Sequence, residues 1–247
     1  MDRLDAAAIA LPGIDVRVVE RCSSTNDLAF DVPPPVLIAA ELQTAGRGRR
    51  GRRWHSAPGA GVTFSLGRRI ERPLRELAAL SLVAGVALAR TMRSLGVEKA
   101  SLKWPNDLLV EGAKLAGILV ETRASGHAVI GVGINCRRTP GLAAKVKREV
   151  AFLEQFSASP RNVVIQKTAA ALLEAIAAFE RSGLDALRAQ WEAMDAHAGQ
   201  RLRVRLANGR TLSGIAHGLG HDGSLQLLTP CGLRAVHSGR VVSATPQ

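Results

Sequence analysis

Residues 103–135 read KWPNDLLVEGAKLAGILVETRASGHAVIGVGIN, and this stretch decides the fold of the chain. Runs rich in Val, Ile and Leu alternate in it with turn residues, first Pro105-Asn106-Asp107 and later Ser125-Gly126. Strands joined by such short turns pair as antiparallel neighbours, because a parallel pair needs a long crossover connection. Together with the preceding run ASLKW (100–104), the stretch predicts an antiparallel meander of four strands.

Upstream of the meander, the sequence predicts strands that alternate with helices. A short helix begins at Ser24, where Asp27 is placed to complete a capping box, and the prolines at 33–35 end it. A longer helix follows, with leucines at helical spacing that indicate a buried face. The predicted elements are strands at 14–20, 36–41 and 62–66 and the leucine-rich helix over 74–95.

Downstream, helical periodicity gives way to short strands after His197. The strand region contains two hairpin signals, Asn208-Gly209 and Asp222-Gly223, within about fifty residues. We therefore predict an α+β protein with one domain over 1–197 and a small β-barrel over 198–247. The helices predicted between the meander and the barrel lie near 149–156, 161–181 and 184–195.

Composition limits the classes of function. The 247 residues are 47% apolar, enough for a sizeable core, and Lys+Arg 33 against Asp+Glu 21 gives a net charge of +12. A basic balance favours anionic partners, whether nucleotide phosphates, nucleic acid or an acidic protein. The apolar run Leu77–Ala89 is too short to span a membrane, and residues 1–13 do not resemble a secretory signal. We therefore expect no membrane span and a cytoplasmic protein.

The loop Gly46-Arg47-Gly48-Arg49-Arg50-Gly51 matches the dinucleotide fingerprint GxGxxG literally. We reject that interpretation, because the last glycine of the fingerprint lies in a helix, whereas Pro58, Gly59 and Gly61 forbid a helix here. The loop presents backbone N–H groups and guanidiniums that could surround phosphate oxygens. A solvated basic loop or a nucleic-acid patch remains an equal alternative.

Three further segments carry polar residues beside predicted strands. Lys103-Trp104-Pro105-Asn106-Asp107 places a cation, an amide and a carboxylate together, and Asp107 with Asn106 could hold a hydrated Mg²⁺ whose remaining ligands are phosphates. Ordinary turn chemistry explains the same residues equally well. Lys114 opens the next strand and could be a solvated edge residue. Gly131 and Gly133 permit either close approach of a ligand or tight packing.

These segments resemble the biotin protein ligases. The resemblance depends on STN at 24–26, QTAGRGRRGRRW at 43–54, KWPND at 103–107, KLAGILVE at 114–121 and GVGIN at 131–135, in that order. It covers about 14–136 densely and the remainder in outline. It implies a mixed β-sheet with helices, similar to the catalytic cores of class II aminoacyl-tRNA synthetases and lipoate ligases, followed by an SH3-like C-terminal domain.

The resemblance also implies an activity, that of a biotin–[biotin carboxyl carrier protein] ligase. The carboxylate of biotin would attack the α-phosphate of ATP, in the presence of Mg²⁺, and a carrier lysine would then accept the biotinyl group. The implied catalytic residues are Lys114 and Arg49. The implied biotin-binding residues are Ser24, Thr25, Asn26, Gln43, Arg47, Gly48, Arg49 and Lys114. The implied nucleotide-binding residues are Arg47, Arg49, Arg52, Trp54, Lys103, Asn106 and Asn135, with Asp107 and Asn106 at Mg²⁺.

The implied partner is the biotin carboxyl carrier protein of acetyl-CoA carboxylase or a related biotin carboxylase. Bifunctional family members carry a DNA-binding domain before the STN segment, whereas here 23 residues precede Ser24, so we expect a monofunctional ligase without DNA binding. The alternatives are a lipoate or octanoyl ligase on the same fold, a basic nucleic-acid-binding module, and a non-catalytic biotin-binding protein.

Overall fold

The predicted meander forms one half of a seven-stranded mixed sheet. The computed structural model describes residues 2–55 and 57–245 of the chain. In the sheet the strand order is β1-β2-β3-β7-β6-β5-β4, and β4 to β7 pair antiparallel in sequence order, as predicted. The strands are β1 Asp15–Cys22, β2 Val36–Gln43, β3 Gly61–Arg69, β4 Ala100–Lys103, β5 Asp107–Val110, β6 Ala113–Thr122 and β7 His127–Asn135.

One pair makes the sheet mixed. Strands β1 and β2 run parallel, joined by the short helix α2 (Thr25–Phe30), and β2 then pairs antiparallel with β3. In the middle of the sheet, β7 pairs antiparallel with both β3 and β6. This arrangement brings the end of β2, the first half of β3, the start of α2 and the glycines of β7 to one place, where the candidate site lies.

Helices cover the sheet and supply much of the core. Two of them, spanning Leu74–Ser94 and Arg161–Ser182, are long and apolar enough to cross a membrane by length and composition. The most apolar window of the first is 78% buried, and that of the second is 44% buried. Helix α5 packs on α3, α6, α1 and β3, so both helices serve as packing elements of this fold. The helices are α1 Ala6–Ile9, α3 Leu80–Ser94, α4 Leu142–Val146, α5 Arg161–Ser182 and α6 Asp185–Glu192.

A second sheet follows the helices. It has five antiparallel strands in the order β11-β10-β9-β8-β12, consistent with the predicted SH3-like domain. The backbone at 194–196 extends the edge of the first sheet, because Leu102 both donates to Met194 O (2.7 Å) and accepts from Ala196 N (2.8 Å). The strands are β8 Arg201–Leu206, β9 Thr211–Leu219, β10 Leu225–Thr229, β11 Gly232–Val236 and β12 Gly239–Thr245.

The second sheet contacts the first through a turn that follows β9. The indole N–H of Trp104 donates to the carbonyl of Gly223 at 3.1 Å. Gly223 has φ +81°, and a Cβ built on it would lie 2.9 Å from Leu82 Cδ1. Only glycine can occupy this position against α3 without displacing the neighbouring side chains.

Two local predictions were wrong. The helix expected near 149–156 is mostly extended backbone with a 3-10 turn at Leu153–Gln155, because Lys114 N bonds to Glu149 O and Ala151 N bonds to Lys114 O. Ser24 is the N-cap of α2 as expected, but its side chain makes no capping hydrogen bond. The capping box does not form, since the carboxylate of Asp27 is bonded to Arg47 instead.

Candidate functional site

A cavity of about 420 Å³ opens over the sheet at β6 and β7, beneath the arginine loop between β2 and β3. It brings together predicted residues that lie up to 90 positions apart in the sequence, from Ser24 to Lys114. The predicted residues that line it are Ser24, Thr25, Asn26, Gln43, Arg47, Gly48, Arg49, Arg52, Trp54, Asn106, Asp107 and Lys114.

One end of the cavity is a closed network of polar side chains. Thr25 N–H donates to Gln43 Oε1 at 2.7 Å, and the hydroxyls of Thr25 and Ser65 lie 2.7 Å apart. Ser65 donates to Asn26 Oδ1 at 2.6 Å, and Asn26 Nδ2 donates to Glu121 Oε2 at 2.6 Å. Thr25, Asn26 and Ser65 are buried, and the whole network is bonded together, so its orientations are fixed before any ligand arrives.

Two glycines of β7 form the floor of the cavity. A Cβ built on Gly131 would lie 2.3 Å from Asn26 Oδ1, and one built on Gly133 would lie 2.4 Å from Trp54 Cε2. The glycines are therefore needed for close packing, the first beneath the polar network and the second beneath the indole ring. The sequence left open whether Gly131 and Gly133 permit close approach of a ligand or tight packing. The structure shows tight packing by protein side chains.

The arginine loop is a folded strap across the cavity. Gly48 N–H donates to Arg52 O at 2.7 Å, Trp54 N–H donates to Gly46 O at 2.9 Å, and Arg49–Gly51 form a 3-10 turn. Arg50 (φ +59°) and Gly51 (φ +69°) adopt left-handed conformations, and the backbone is extended again at Arg52. The described residues between Gly51 and β3 contain no α-helix, so the loop is unlike a dinucleotide fingerprint.

The centre of the cavity holds a buried ion pair. Lys114 Nζ donates to Asp107 Oδ1, and Arg148 Nη1 donates to Asp107 Oδ2 at 3.2 Å. Burial lowers the pKa of Lys114 to about 8, although Asp107 opposes this shift. Burial would raise the pKa of Asp107, but Lys114 and Arg148 outweigh it and hold that pKa below its ordinary value. Lys114 is thus a fixed cation and not the solvated edge residue of the alternative interpretation.

Beside this pair, several cations lack an acidic partner. Within the described residues, no carboxylate forms an ion pair with Arg49, Arg52, Lys103 or Arg240. Burial lowers the pKa of Lys103, with Arg240, Arg148 and Arg52 adding repulsion. Burial also lowers the pKa of Arg49, and its neighbours Arg50 and Arg52 act in the same direction. Asp107 opposes these shifts for Lys103 and Arg49 but does not reverse them. Positive charges held together in this way favour binding of a polyanion.

Trp54 separates this cavity from a second one of about 390 Å³, which contains Asn135. Asn135 Nδ2 donates to Lys114 O at 3.1 Å, so it connects the second cavity to the ion pair. Of the predicted site residues, Lys103 lines neither cavity, although it pairs with Asp107 across β4 and β5.

The predicted metal ligands do not form a protein-built metal site. Asn106 is buried and its Nδ2 donates to Ile118 O at 2.6 Å, while both carboxylate oxygens of Asp107 accept from cations. Across residues 2–55 and 57–245, no group of three or more His, Cys, Asp or Glu side chains could hold a metal ion.

Sequence reasoning missed four residues of the site. Ser65 and Glu121 complete the polar network, and Arg148 and Arg240 contribute to the cationic end. Ser65 and Arg240 lie outside every quoted motif, so no local signal marks them. Glu121 ends the KLAGILVE segment, and its position there was the one available signal.

Comparisons with known proteins agree with this geometry. The Biotin/lipoate A/B protein ligase family matches residues 18–135, and the Biotin protein ligase C terminal domain matches residues 197–242. The Bifunctional ligase/repressor BirA of Escherichia coli is 34% identical over 226 residues, covering 88% of this chain and 70% of that protein. The Biotin--[acetyl-CoA-carboxylase] ligase of Mycobacterium tuberculosis is 36% identical over 222 residues, covering 85% of this chain and 82% of that protein.

A solved structure supports the fold. The biotin protein ligase from Aquifex aeolicus, in complex with biotin and ATP, matches with a TM-score of 0.80 at 24% identity, covering 94% of this chain and 99% of that chain. The predicted fold class is confirmed. On the strength of the sequence relatives, the chain belongs to the biotin protein ligase family.

Proposed function

We propose that this protein activates biotin with ATP to biotinyl-5′-AMP and transfers the biotinyl group to a lysine of a carrier protein. The observation that carries this proposal is the meeting, in one cavity, of a closed polar network and a cluster of unpaired cations. The first suits a small neutral polar head group, and the second suits a triphosphate. The relatives named as biotin ligases support the choice of acid.

At the polar end, Ser24, Thr25, Asn26 and Gln43 would bind the ureido group of biotin. The side chains of Thr25 and Asn26 are held by Ser65, and each residue of the STN segment is 3% exposed. A rigid site of this kind costs little ordering on binding. Because it is closed by paired donors and acceptors, it also disfavours ligands that lack matching polar atoms.

At the cationic end, the biotin carboxylate and the ATP α-phosphate must approach each other although both are anions. Lys114, Arg49 and Arg52 would offset this repulsion. A carboxylate oxygen then attacks the α-phosphorus, and the bond to the β-phosphate bridging oxygen breaks to release pyrophosphate. Trp54 and Asn135, which border the second cavity, would bind the nucleoside, and Lys103 would bind the phosphates.

The second step needs no nucleophile from this chain. The amine of a carrier lysine attacks the acyl carbon of biotinyl-AMP, the amide forms with loss of a proton, and AMP leaves. Among the described residues, no cysteine lines the cavity. Cys136 is buried, and burial raises its pKa to about 12, so it remains a thiol. Arg47, Gly48 and Arg49, within the strap, would shield the mixed anhydride from water.

Magnesium enters this proposal as the counter-ion of ATP. The oxygens of Asp107 are already matched by Lys114 and Arg148, so the triphosphate would supply most of the ligands of Mg²⁺. Asp107 and Asn106 would lie beside the ion.

The proposed partner is the biotin carboxyl carrier protein of acetyl-CoA carboxylase or a related enzyme, and the proposed compartment is the cytoplasm. Strand β8 offers an exposed basic row for an acidic carrier at Arg201, Arg203 and Arg205.

The test is incubation with ATP, Mg²⁺ and a biotin carrier domain, with either biotin or lipoate, followed by mass measurement of the carrier. We expect a gain of one biotinyl group with biotin and no gain with lipoate. Lipoylation instead would establish the alternative ligase. No modification, together with steeply salt-dependent binding of random oligonucleotides, would favour the nucleic-acid-binding alternative.

A further inference from the structure

Two carboxylates from different elements fasten the strap at Arg47, and at a second point Arg50 Nη2 donates to Ser238 Oγ at 3.4 Å. Arg47 Nη1 and Nη2 donate to the two oxygens of Asp27 on α2, at 2.8 and 2.6 Å. Arg47 Nη2 also lies 3.3 Å from Glu121 Oε2 on β6. The guanidinium therefore joins the strap to a helix and to a strand, in a bidentate geometry that fixes its direction.

Glu121 connects this fastening to the polar network. The same Oε2 that faces Arg47 accepts from Asn26 Nδ2 at 2.6 Å, and Asn26 in turn accepts from Ser65. A continuous chain of hydrogen bonds thus runs from the strap to the groups that hold the proposed biotin pocket. A change of position at Asn26 alters the partner that holds Arg47.

We propose that Asp27, Arg47 and Glu121 form a latch that keeps the strap closed, and that Glu121 couples this latch to occupancy of the polar pocket. All three are positioning residues. Arg47 would thus act on the ligand through the strap it holds, since its donors already face two carboxylates. The coupling part rests on the proposed function, because it takes biotin as the occupant.

The Arg47–Asp27 ion pair differs from an ordinary surface ion pair in the elements that it joins. Arg17 and Asp15 make a similar contact at 2.7 Å, but they are neighbours on β1 and fasten no separate segment. Arg47 and Asp27 are 20 positions apart and belong to different elements. The bond to Arg47 lowers the pKa of Asp27, in keeping with a charge that the contact stabilises.

Limited digestion with trypsin tests the latch without requiring activity. The strap contains five arginines, so opening it exposes cleavage sites. We expect Asp27→Asn and Glu121→Gln to speed cleavage within 47–53 by about two- to fivefold, the range for a partly exposed ion pair. The matched control is Asp15→Asn, which removes the other pair. Cleavage rates equal to that of the control in both variants would overturn the latch.

A second measurement separates a latch from direct contact with phosphate. If Arg47 acts through Asp27, the effects of Asp27→Asn and Arg47→Gln on the dissociation rate of biotin will not add in the double variant. Additive effects, with Arg47→Gln far more damaging to the KM for ATP, would assign Arg47 to the phosphates instead.

The coupling through Glu121 is tested by repeating the trypsin digestion with biotin. Saturating biotin should slow cleavage of the wild type but slow it less in Glu121→Gln. Equal protection in both would overturn the coupling while leaving the latch and the proposed function in place.

Discussion

The two ends of the cavity are built in opposite ways. At the polar end, Thr25, Asn26 and Ser65 are buried and bonded to one another. At the cationic end, no carboxylate within the described part of the chain forms an ion pair with Arg49, Arg52 or Arg240, and the like charges of Arg49 and Arg52 repel each other. One end is complete by itself, whereas the other gains its balancing charge only from a ligand.

This difference predicts different behaviour for the two substrates. A preformed neutral site binds with little dependence on salt or pH, whereas a cluster of unpaired cations binds an anion with strong dependence on both. The geometry therefore predicts that the proposed biotin end exists before ATP arrives.

The largest effect is expected for Lys114→Ala. Removing the fixed cation should lower biotin-dependent ATP–pyrophosphate exchange by about 10²–10³-fold, as for other electrostatic deletions. The KM for biotin should change far less. The control is Lys99→Ala, which removes a lysine from the exposed pair with Glu111. Exchange near the wild-type rate in Lys114→Ala would remove this lysine from the mechanism.

Two alanine substitutions on the same strand should separate the ends. In Gly131→Ala the new methyl group meets Asn26, and in Gly133→Ala it meets Trp54. Overpacking of this kind costs about 1–3 kcal/mol, so we expect about 10- to 100-fold increases in KM, for biotin in the first variant and for ATP in the second. If both variants raised the KM for biotin and the KM for ATP by the same factor, the two ends of the cavity would not be independent.

The sequence predicted the motif residues of both ends but not their neighbours. Residues from the segments 24–26, 43–54, 103–107 and 114–121 do converge on one cavity, although Lys103 lies outside its lining. Ser65 and Arg240 could not be predicted, because their places depend on the register of β3 against β7 and on the docking of the second sheet. The helix predicted near 149–156 does not form for a similar reason, because its backbone makes hydrogen bonds to Lys114, a residue distant in the sequence.

The pH dependence should follow Lys114. Its pKa of about 8 means that the cation is present below this value and is lost as the pH rises through it. The kcat/KM for ATP should therefore fall about tenfold for each unit above pH 8, because this parameter reports groups of the free enzyme. The KM for biotin should stay flat. A profile for ATP that is level from pH 7 to 10 would contradict the assigned charge.

The smallest effect is expected for Arg240, the contribution of the second sheet to the cavity. Arg240→Ala should raise the KM for ATP by about three- to tenfold, in the range of one exposed charged contact. Arg234→Ala, which removes an exposed arginine of β11 outside the cavity lining, is the matched control. Equal KM values in the two variants would limit the cationic end to the first sheet.

Calorimetric titration of the protein with biotin in the absence of ATP tests whether the polar end is formed before ATP binds. We predict saturable binding at one site, little changed by salt, and much weakened in Gly131→Ala but not in Gly133→Ala. The same titration with lipoate should show no comparable binding. Biotin binding that appears only after ATP is added would contradict the preformed polar end.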